Sequence, residues 1–148
     1  MTERTRGYAH RIDVRAPAQL VWAALTNSTA LSQWCAPGAA IDARPGGLFR
    51  ASVDRVTEFE AHIDVFMLQR RMRLLYLPSP ALPADCAMAD DFVLDEGSGV
   101  TIVRLLSSGF PGDAEWDEMY LRLRAAWQSA MARLKVLVER ETRGPDSK

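Results

Sequence analysis

Residues 114–142 read AEWDEMYLRLRAAWQSAMARLKVLVERET, and this stretch decides the fold of the chain. Its apolar side chains recur at the spacing of one helix face, and it contains neither glycine nor proline. Acidic residues gather at its start and basic residues toward its end, which is the distribution that the helix dipole favours. A helix of about 28 residues is about 42 Å long at 1.5 Å per residue. Because this is too long for a surface element of a small domain, we predict that the helix lies across a curved sheet.

The sequence before this helix predicts one strand, two short helices and a meander of about six strands. The first strand covers residues 7–15, and Pro17 starts a short helix that ends near Thr26-Asn27. Ser28 is predicted to cap a second short helix, which Pro37-Gly38 ends. The later strands are predicted at 38–44, 48–54, 57–66, 71–77, 88–95 and 100–107.

Alternation of apolar and polar side chains is clearest in the strand at 57–66. A period of two is typical of a sheet with one face in water. The face predicted to point inward holds Phe59, Ala61, Ile63 and Val65. The opposite face holds Glu58, Glu60, His62 and Asp64, which we interpret as a solvated surface rather than a metal site.

These elements predict an α+β domain in which a curved antiparallel sheet of about six to seven strands wraps around the long C-terminal helix. Two short helices follow the first strand. We expect a single domain over residues 1–148, with residues 1–6 and 144–148 frayed.

Composition excludes several classes of protein. The chain has 148 residues, of which 48% are apolar and 25% charged, and its net charge is −1. This balance is typical of a soluble globular domain, and a dedicated nucleic-acid binder would be more basic. No apolar run is long enough for a membrane span, and no apolar segment typical of a secretory signal follows the N-terminus. Cys35 and Cys86 do not form a CxxC pair, so we expect a cytoplasmic protein with free thiols.

Established motifs of catalysis and metal binding are missing from the sequence. It contains no HExxH, no CxxC pair and no GxSxG, and we therefore expect no metal, no cofactor and no catalytic residue of these classes. Gly46-Gly47 is interpreted as a tight turn that needs positive φ, not as a phosphate loop. Cys35 is interpreted as an inert, partly buried thiol, with a reactive thiol as the alternative.

Five short motifs occur in order along nearly the whole chain. They are Val21-Trp22-Ala23-Ala24-Leu25-Thr26, Trp34-Cys35-Ala36-Pro37, Arg44-Pro45-Gly46-Gly47-Leu48-Phe49-Arg50, Gly99-Val100-Thr101 with Ser108-Gly109-Phe110, and the helix from Ala126-Trp127 to Glu139. In this order they resemble the START-like (Bet v 1-like, SRPBCC) superfamily, which has the helix-grip fold. Within it, the chain looks most similar to the bacterial relatives of the C-terminal domain of the Hsp90 ATPase activator Aha1. The chain departs from the pattern at Ala126, where many relatives have Gly, and at Ser107, where His is frequent.

The resemblance implies a deep, mostly apolar cavity between the sheet and the long helix. Strand parity predicts the lining from the sheet, and helix periodicity predicts the lining from the helix; the alternative is that these side chains simply fill a core. The predicted sheet residues are Phe49, Phe59, Ile63, Leu74, Tyr76, Phe92 and Val103. The predicted helix residues are Met119, Tyr120, Leu123 and Trp127, with Trp34 and Pro37 at the mouth.

Three functions are compatible with this interpretation. The first is a domain that binds an apolar or aromatic small molecule, with Trp34, Tyr76 and Tyr120 orienting it. The second is a protein-partner or chaperone-associated domain without turnover. Activation of Hsp90 itself is not expected, because 148 residues leave no room for the separate N-terminal domain that this activity also uses. A homodimer is plausible, since the edge strands of such sheets need covering.

The third function is an enzyme of cyclase or hydrolase type that uses polar groups in the cavity. The candidate groups are Tyr76, Tyr120, Ser107 and Arg50, of which Arg50 is predicted to point away. This function requires a carboxylate, histidine or thiol with a shifted pKa inside the cavity. We assign no carboxylate to the interior from the sequence, and we rank the binding function above the enzyme.

Overall fold

The computed structural model describes residues 4–83 and 87–143. These residues form nine strands, three α-helices and one short 3-10 helix, joined by turns and loops. Helix α1 covers Ala18–Thr26, α2 covers Ser28–Trp34 and α3 covers Asp117–Arg143, with the 3-10 helix at Ala114–Trp116. The strands are β1 Thr5–Arg6, β2 Ala9–Val14, β3 Ala40–Ile41, β4 Leu48–Ala51, β5 Phe59–Met67, β6 Arg71–Tyr76, β7 Ala89–Gly97, β8 Val100–Ser108 and β9 Phe110–Pro111.

Seven strands form one sheet in the order β2-β8-β7-β6-β5-β4-β3, and every neighbouring pair is antiparallel. Strands β1 and β9 form a separate two-stranded pair. The sheet curls around the long C-terminal helix, and the two short helices follow β2. The predicted α+β fold class is therefore confirmed.

Helix α3 is 27 residues long and buries one continuous apolar face. The buried positions are Met119, Leu123, Trp127, Ala130, Met131, Leu134 and Val138. They recur at intervals of three, four and one residues, so they form one stripe along the helix. The stripe packs on the inner side of the sheet and on α1 and α2, which confirms the prediction from residues 114–142.

Polar bonds tether α3 to the rest of the domain along its length. Near its start, Asp117 pairs with Arg6 at 2.8 Å and the Tyr120 hydroxyl donates to the Gly7 carbonyl at 2.6 Å. Near its middle, Arg133 Nε donates to the Trp34 carbonyl at 2.8 Å, where α2 ends. Near its end, Glu139 Oε2 accepts from the Arg15 amide at 2.9 Å. Of these contacts, the one from Arg133 places a cation at the C-terminus of α2, where such a group satisfies carbonyls that have no partner within the helix.

Several predicted boundaries move in the structure. The strand predicted at 38–44 is reduced to Ala40–Ile41. The cap of α2 is Asn27, not Ser28, because the Asn27 side chain accepts from the Ala30 amide at 3.0 Å. The Ser28 hydroxyl instead accepts from the Ile41 amide at 3.0 Å. Asn and Ser are both suitable N-cap residues. Because the Ser28 hydroxyl bonds to Ile41 of β3, Asn27 is the residue that caps α2.

A register shift between Ile63 and Val65 overturns part of the predicted alternation in β5. Beyond this shift Val65 lies opposite Arg73, and Phe66 lies opposite the buried Met72. The Phe66 ring packs edge-on against Trp22 with centroids 5.4 Å apart. A bulge inserts one residue into a strand and so exchanges its faces, which a period-of-two pattern does not reveal.

Within the segment 1–6 that was predicted to be frayed, Thr5 and Arg6 form β1, and residues 1–3 lie outside the described residues. Strand β1 pairs with β9, and the Arg6 guanidinium lies 4.4 Å from the centre of the Tyr120 ring. Cation–π contact and the ion pair with Asp117 therefore hold this segment on α3. The predicted fraying of residues 144–148 lies outside the described residues.

The turn at Gly46-Gly47 has the geometry predicted for it. Gly46 adopts φ of 77°, and a Cβ atom on Gly47 would lie 1.8 Å from the Asp42 carbonyl oxygen. Only glycine meets both conditions without displacing the backbone. In the described parts of the chain, no helix combines the length and the apolar character needed to cross a membrane.

Two leucines on α3 test how much of the stability comes from its buried stripe. Leu134 is 0% exposed and Leu121 is 51% exposed. We expect Leu134→Ala to lower the free energy of unfolding by about 2–5 kcal/mol, because it leaves a cavity in the core. The control Leu121→Ala should change it by less than about 0.5 kcal/mol. Urea denaturation measures both, and equal losses would contradict the assigned packing.

Candidate functional site

A carboxylate lies inside the domain, at Asp90 on β7. Its residue is 4% exposed, and its Oδ2 accepts a hydrogen bond of 2.6 Å from the Tyr76 hydroxyl on β6. Its neighbours across the sheet are Leu74 on β6 and Ser107 on β8. This finding corrects the expectation that no carboxylate lies in the interior.

Strand parity explains why Asp90 points inward. Buried positions alternate along β7, and Asp90 shares its face with Phe92 and Leu94. The same parity already placed Phe92 in the predicted cavity. The sequence therefore contained the signal for Asp90, two residues before a residue that was correctly assigned to the inner face.

Aromatic side chains surround this carboxylate. The space at Asp90, which we term the Asp90 pocket, has a free volume of about 10 Å³. That is roughly the room that one water molecule needs. Side chains therefore fill most of the space between the sheet and α3 at this point. The residues that line the pocket are Tyr8, Phe59, Tyr76, Met88, Ala89, Asp90, Ser107, Phe110, Leu123 and Trp127.

Burial raises the pKa of Asp90 from 3.8 to about 6, although hydrogen bonding from Tyr76 and Ser107 acts in the opposite direction. Burial and then the charge of Asp90 raise the pKa of Tyr76 well above its usual value. The pKa of Tyr8 is raised for the same two reasons. Both phenols therefore stay protonated and available as hydrogen-bond donors, while Asp90 is the group that titrates near neutral pH.

No cation compensates the charge of Asp90 within residues 4–83 and 87–143, where none of the ion pairs includes it. Asp54 provides the contrast, since its side chain is also 0% exposed. Asp54 pairs with Arg122 of α3 at 3.0 Å and accepts from the amides of Val56 and Thr57 at 3.0 and 2.8 Å. The structural role of Asp54 is thus fully accounted for, whereas Asp90 is buried against hydroxyl groups alone.

A surface groove of about 730 Å³ adjoins the Asp90 pocket. Tyr76 and Met88 line both spaces, so the groove and the pocket meet at these two residues. The groove follows the end of β6 and the proline-rich segment after it, and apolar side chains dominate its lining. The lining residues are Leu75, Tyr76, Leu77, Pro78, Ser79, Pro80, Leu82, Pro83, Ala87 and Met88.

Four of the predicted cavity residues meet at the Asp90 pocket, namely Phe59, Tyr76, Leu123 and Trp127. Six others are buried in the surrounding hydrophobic core and line neither space. These are Phe49, Ile63, Leu74, Phe92, Val103 and Met119.

Three predicted residues lie elsewhere. Trp34 is 1% exposed and donates through Nε1 to the Ala24 carbonyl at 2.9 Å, so it joins α2 to α1 rather than standing at a mouth. Pro37 is exposed in the loop after α2. The Tyr120 ring packs against Phe110 with centroids 5.6 Å apart, and neither of the two spaces includes it in its lining.

Two polar candidates from the sequence have clear positions. Ser107 lines the Asp90 pocket and lowers the pKa of both Asp90 and Tyr8 by hydrogen bonding. Arg50 is exposed and lies 3.4 Å from Glu58 on the outer face, as predicted. The sequence analysis did not assign Tyr8, Met88, Ala89 or Phe110 to a site, although Tyr8 lies within the strand predicted at 7–15.

Cys35 is a buried thiol at the end of α2. Burial raises its pKa to about 12, so it stays protonated and is a poor nucleophile. Cys86 lies outside the described residues. Among the residues that the structure does describe, no group of three or more His, Cys, Asp or Glu side chains is arranged to hold a metal ion.

A family model described as "Activator of Hsp90 ATPase homolog 1-like protein" matches residues 15–139, which include Tyr76, Asp90 and Ser107. The chain belongs to this family. The resemblance drawn from the five motifs is therefore confirmed. A search of curated protein sequences finds no significant match.

Solved structures similar to this chain support the same fold. Protein MLL2253 from Mesorhizobium loti is 19% identical, with a TM-score of 0.78 over 91% of this chain and 98% of that one. The Aha1 dimer from Colwellia psychrerythraea is 18% identical, with a TM-score of 0.76 over 90% and 96%. CalU16 from Micromonospora echinospora is 20% identical, with a TM-score of 0.71 over 93% and 79%. These similarities establish the Aha1-like fold and leave the activity to the site itself.

The pKa of Asp90 generates a prediction about stability. Because folding raises this pKa from 3.8 to about 6, Asp90 stabilises the fold fully below pH 3.8, and the contribution is lost as the pH rises through 6. Asp90→Asn keeps the shape and an acceptor for Tyr76 but cannot titrate. Between about pH 4 and pH 7, we expect wild type to lose roughly 3 kcal/mol of unfolding free energy relative to Asp90→Asn.

Urea denaturation at a series of pH values measures this difference. Asp95 is exposed on the same strand, so Asp95→Asn is the matched control and should keep the wild-type pH dependence. Parallel stability curves for wild type and Asp90→Asn would show that the carboxyl group is not buried as described.

Proposed function

We propose that this Aha1-like domain binds a small molecule with an apolar or aromatic body, held in the groove beside β6 and extending into the Asp90 pocket. The observation that carries this proposal is the shared lining of the two spaces by Tyr76 and Met88. A mostly apolar groove that converges on a few polar groups is the usual form of a ligand site. Of the residues predicted from the sequence, Phe59, Tyr76, Leu123 and Trp127 are proposed to contact the ligand.

Binding in the interior requires one side chain to move, because the Asp90 pocket has only about 10 Å³ of free volume. Met88 is the best candidate, since an unbranched thioether changes rotamer easily and packs against many shapes. Its displacement would join the pocket to the groove. Burial of apolar ligand surface contributes about 25 cal/mol per Å², which offsets the cost of this rearrangement.

Naphthalenemethanol is a neutral aromatic probe for this site. We expect it to raise the melting temperature in a saturable manner, because ligand at about 100 times its Kd stabilises the folded state by about 2.7 kcal/mol. Ala87 is exposed and lines the groove, so Ala87→Trp should fill it and weaken binding by at least about tenfold. Thermal shift and fluorescence titration measure the two effects.

Ala81 gives a matched control, because it is exposed on the same segment but does not line the groove. Ala81→Trp should bind the probe as wild type does. Native mass spectrometry of freshly purified protein adds an independent measurement, in which a retained small molecule supports the proposal. Absence of a retained mass, together with equal binding by both tryptophan variants, would contradict it.

A second candidate function is acid–base catalysis on a bound ester or related substrate. The observation that favours it is the Asp90–Tyr76 pair, a carboxylate and a phenol joined by a bond of 2.6 Å beside a groove. A general base works best when its pKa lies near the working pH, and burial brings the pKa of Asp90 to about 6. In this role Asp90 would accept a proton from an attacking water or substrate hydroxyl, and Tyr76 would remain a donor.

Hydrolysis of naphthyl acetate tests this second function. We expect kcat/KM to rise with pH through about 6, as Asp90 ionises. Asp90→Asn should reduce kcat/KM by at least about a hundredfold, the usual effect of losing a general base. Unchanged hydrolysis by Asp90→Asn, with naphthalenemethanol still bound, would leave a binding domain without turnover.

The homodimer predicted from the edge strands stays a prediction for this chain. The related structure from Colwellia psychrerythraea is described as an Aha1 dimer, which supports it. The edges of the seven-stranded sheet are β2 and β3, and β3 is the shorter and less covered of the two. The chaperone-associated function is likewise a prediction, supported here by the family description alone.

A further inference from the structure

We propose that the ligand of this site is an amine whose protonated nitrogen binds Asp90 and whose apolar or aromatic body lies in the groove. This inference rests on the proposed function and specifies the chemical class of the ligand. It follows from four features of the Asp90 pocket: the acceptors that remain on Asp90, its charge, the surrounding rings and the available room.

The carboxylate of Asp90 has acceptor capacity to spare. An ionised carboxylate offers about four lone-pair sites. Tyr76 uses one at 2.6 Å, and Ser107 supplies a second interaction. Because Asp90 itself lines the pocket, its remaining acceptors are open to a donor that arrives there. A ligand ammonium brings up to three N–H donors to this position.

Charge balance selects a cation over a neutral donor or an anion. No Lys, Arg or His within the described ranges forms an ion pair with Asp90, in contrast to the Arg122 that neutralises Asp54. An ammonium group would restore balance at the buried carboxylate. A carboxylate or phosphate on the ligand would instead place a second negative charge beside the first, which is strongly unfavourable in a low-dielectric site.

The surrounding rings favour the same class of ligand. Five aromatic residues line the Asp90 pocket, namely Tyr8, Phe59, Tyr76, Phe110 and Trp127. Aromatic faces carry partial negative charge and attract cations, most strongly where water is excluded. A carboxylate surrounded by rings therefore provides both a directional contact and a diffuse attraction for an ammonium.

The volumes of the Asp90 pocket and the groove indicate where the head group and the body of the ligand would lie. Once Met88 has moved to open a path from the groove, the space of about 10 Å³ at Asp90 accommodates a head group close to the size of water, such as a primary ammonium. The groove of about 730 Å³ accommodates the body. A quaternary ammonium is too large for the pocket as it stands, so primary amines should bind more tightly than their trimethylated forms.

Three probes with one skeleton test the inference: naphthylmethylamine, naphthalenemethanol and naphthoate. At about pH 7.5, isothermal titration calorimetry should give a Kd for the amine at least about tenfold lower than for the alcohol, with naphthoate weakest. Asp90→Asn should remove the preference for the amine and change the affinity for the alcohol by less than about threefold. Asp95→Asn is the control that keeps the preference.

Carbon NMR of the Asp90 carboxyl gives a measurement that needs no variant. The amine should lower the titration midpoint of Asp90, while the alcohol should leave it in place. The other titratable groups that interact with Asp90 are Tyr8, Tyr76 and Cys35, whose pKa values burial raises, so they stay protonated. From α3, β5 and β9 the pocket receives only the apolar side chains of Leu123, Trp127, Phe59 and Phe110.

The outcomes separate this inference from the function on which it rests. Equal affinity for amine and alcohol, tighter binding of naphthoate, or an amine preference that survives in Asp90→Asn would overturn the amine assignment and leave the proposed binding function in place with a ligand of another class or another contact. Failure of all three probes to bind would overturn the amine assignment and the proposed function together. An unchanged Asp90 midpoint in the presence of bound amine would also refute the contact.

Discussion

The apolar stripe of α3 against the inner face of the curled sheet is the contact on which the rest of the structure depends. Trp127 lies near its centre, 2% exposed, with its ring centroid 5.6 Å from Phe92 of β7 and 6.5 Å from Trp34 of α2. One side chain thus joins the sheet, the long helix and the short helices. The Trp127 ring also lines the Asp90 pocket. Because a close-packed interior transmits displacement, the position of this ring affects the shape of the pocket.

Periodicity along the chain predicted the fold because burial of apolar side chains dictates that periodicity. The stripe of α3 and the seven-stranded sheet both follow from it, whereas the turn at Gly46 was predicted from the conformational freedom of glycine. Periodicity does not predict the structure where a side-chain hydrogen bond or an inserted residue determines it, as at the Asn27 cap and the bulge after Ile63. Those features depend on pairing with β3 and β6, which the apolar period of a single element does not encode.

The candidate site was only partly predictable, since it breaks the rule that predicts the fold. Phe59, Tyr76, Leu123 and Trp127 were found as inward apolar or aromatic residues. Asp90 was not, because an inward carboxylate contradicts the expectation that charges face water. Its burial against hydroxyl groups, without a cation in the described ranges, marks a position where the protein retains an unfavourable group. Such positions concentrate at functional sites.

Polar contacts of three arginines hold α3 in place within the domain. Arg6, Arg122 and Arg133 each bind this helix to a different part of the domain, through Asp117, Asp54 and the Trp34 carbonyl. Because α3 is held at three points, we expect it to stay in place rather than to move away from the sheet. Under the proposed function, a ligand would therefore reach the Asp90 pocket past Met88 and the end of β6, and its entry would require rotation of a side chain rather than movement of the helix.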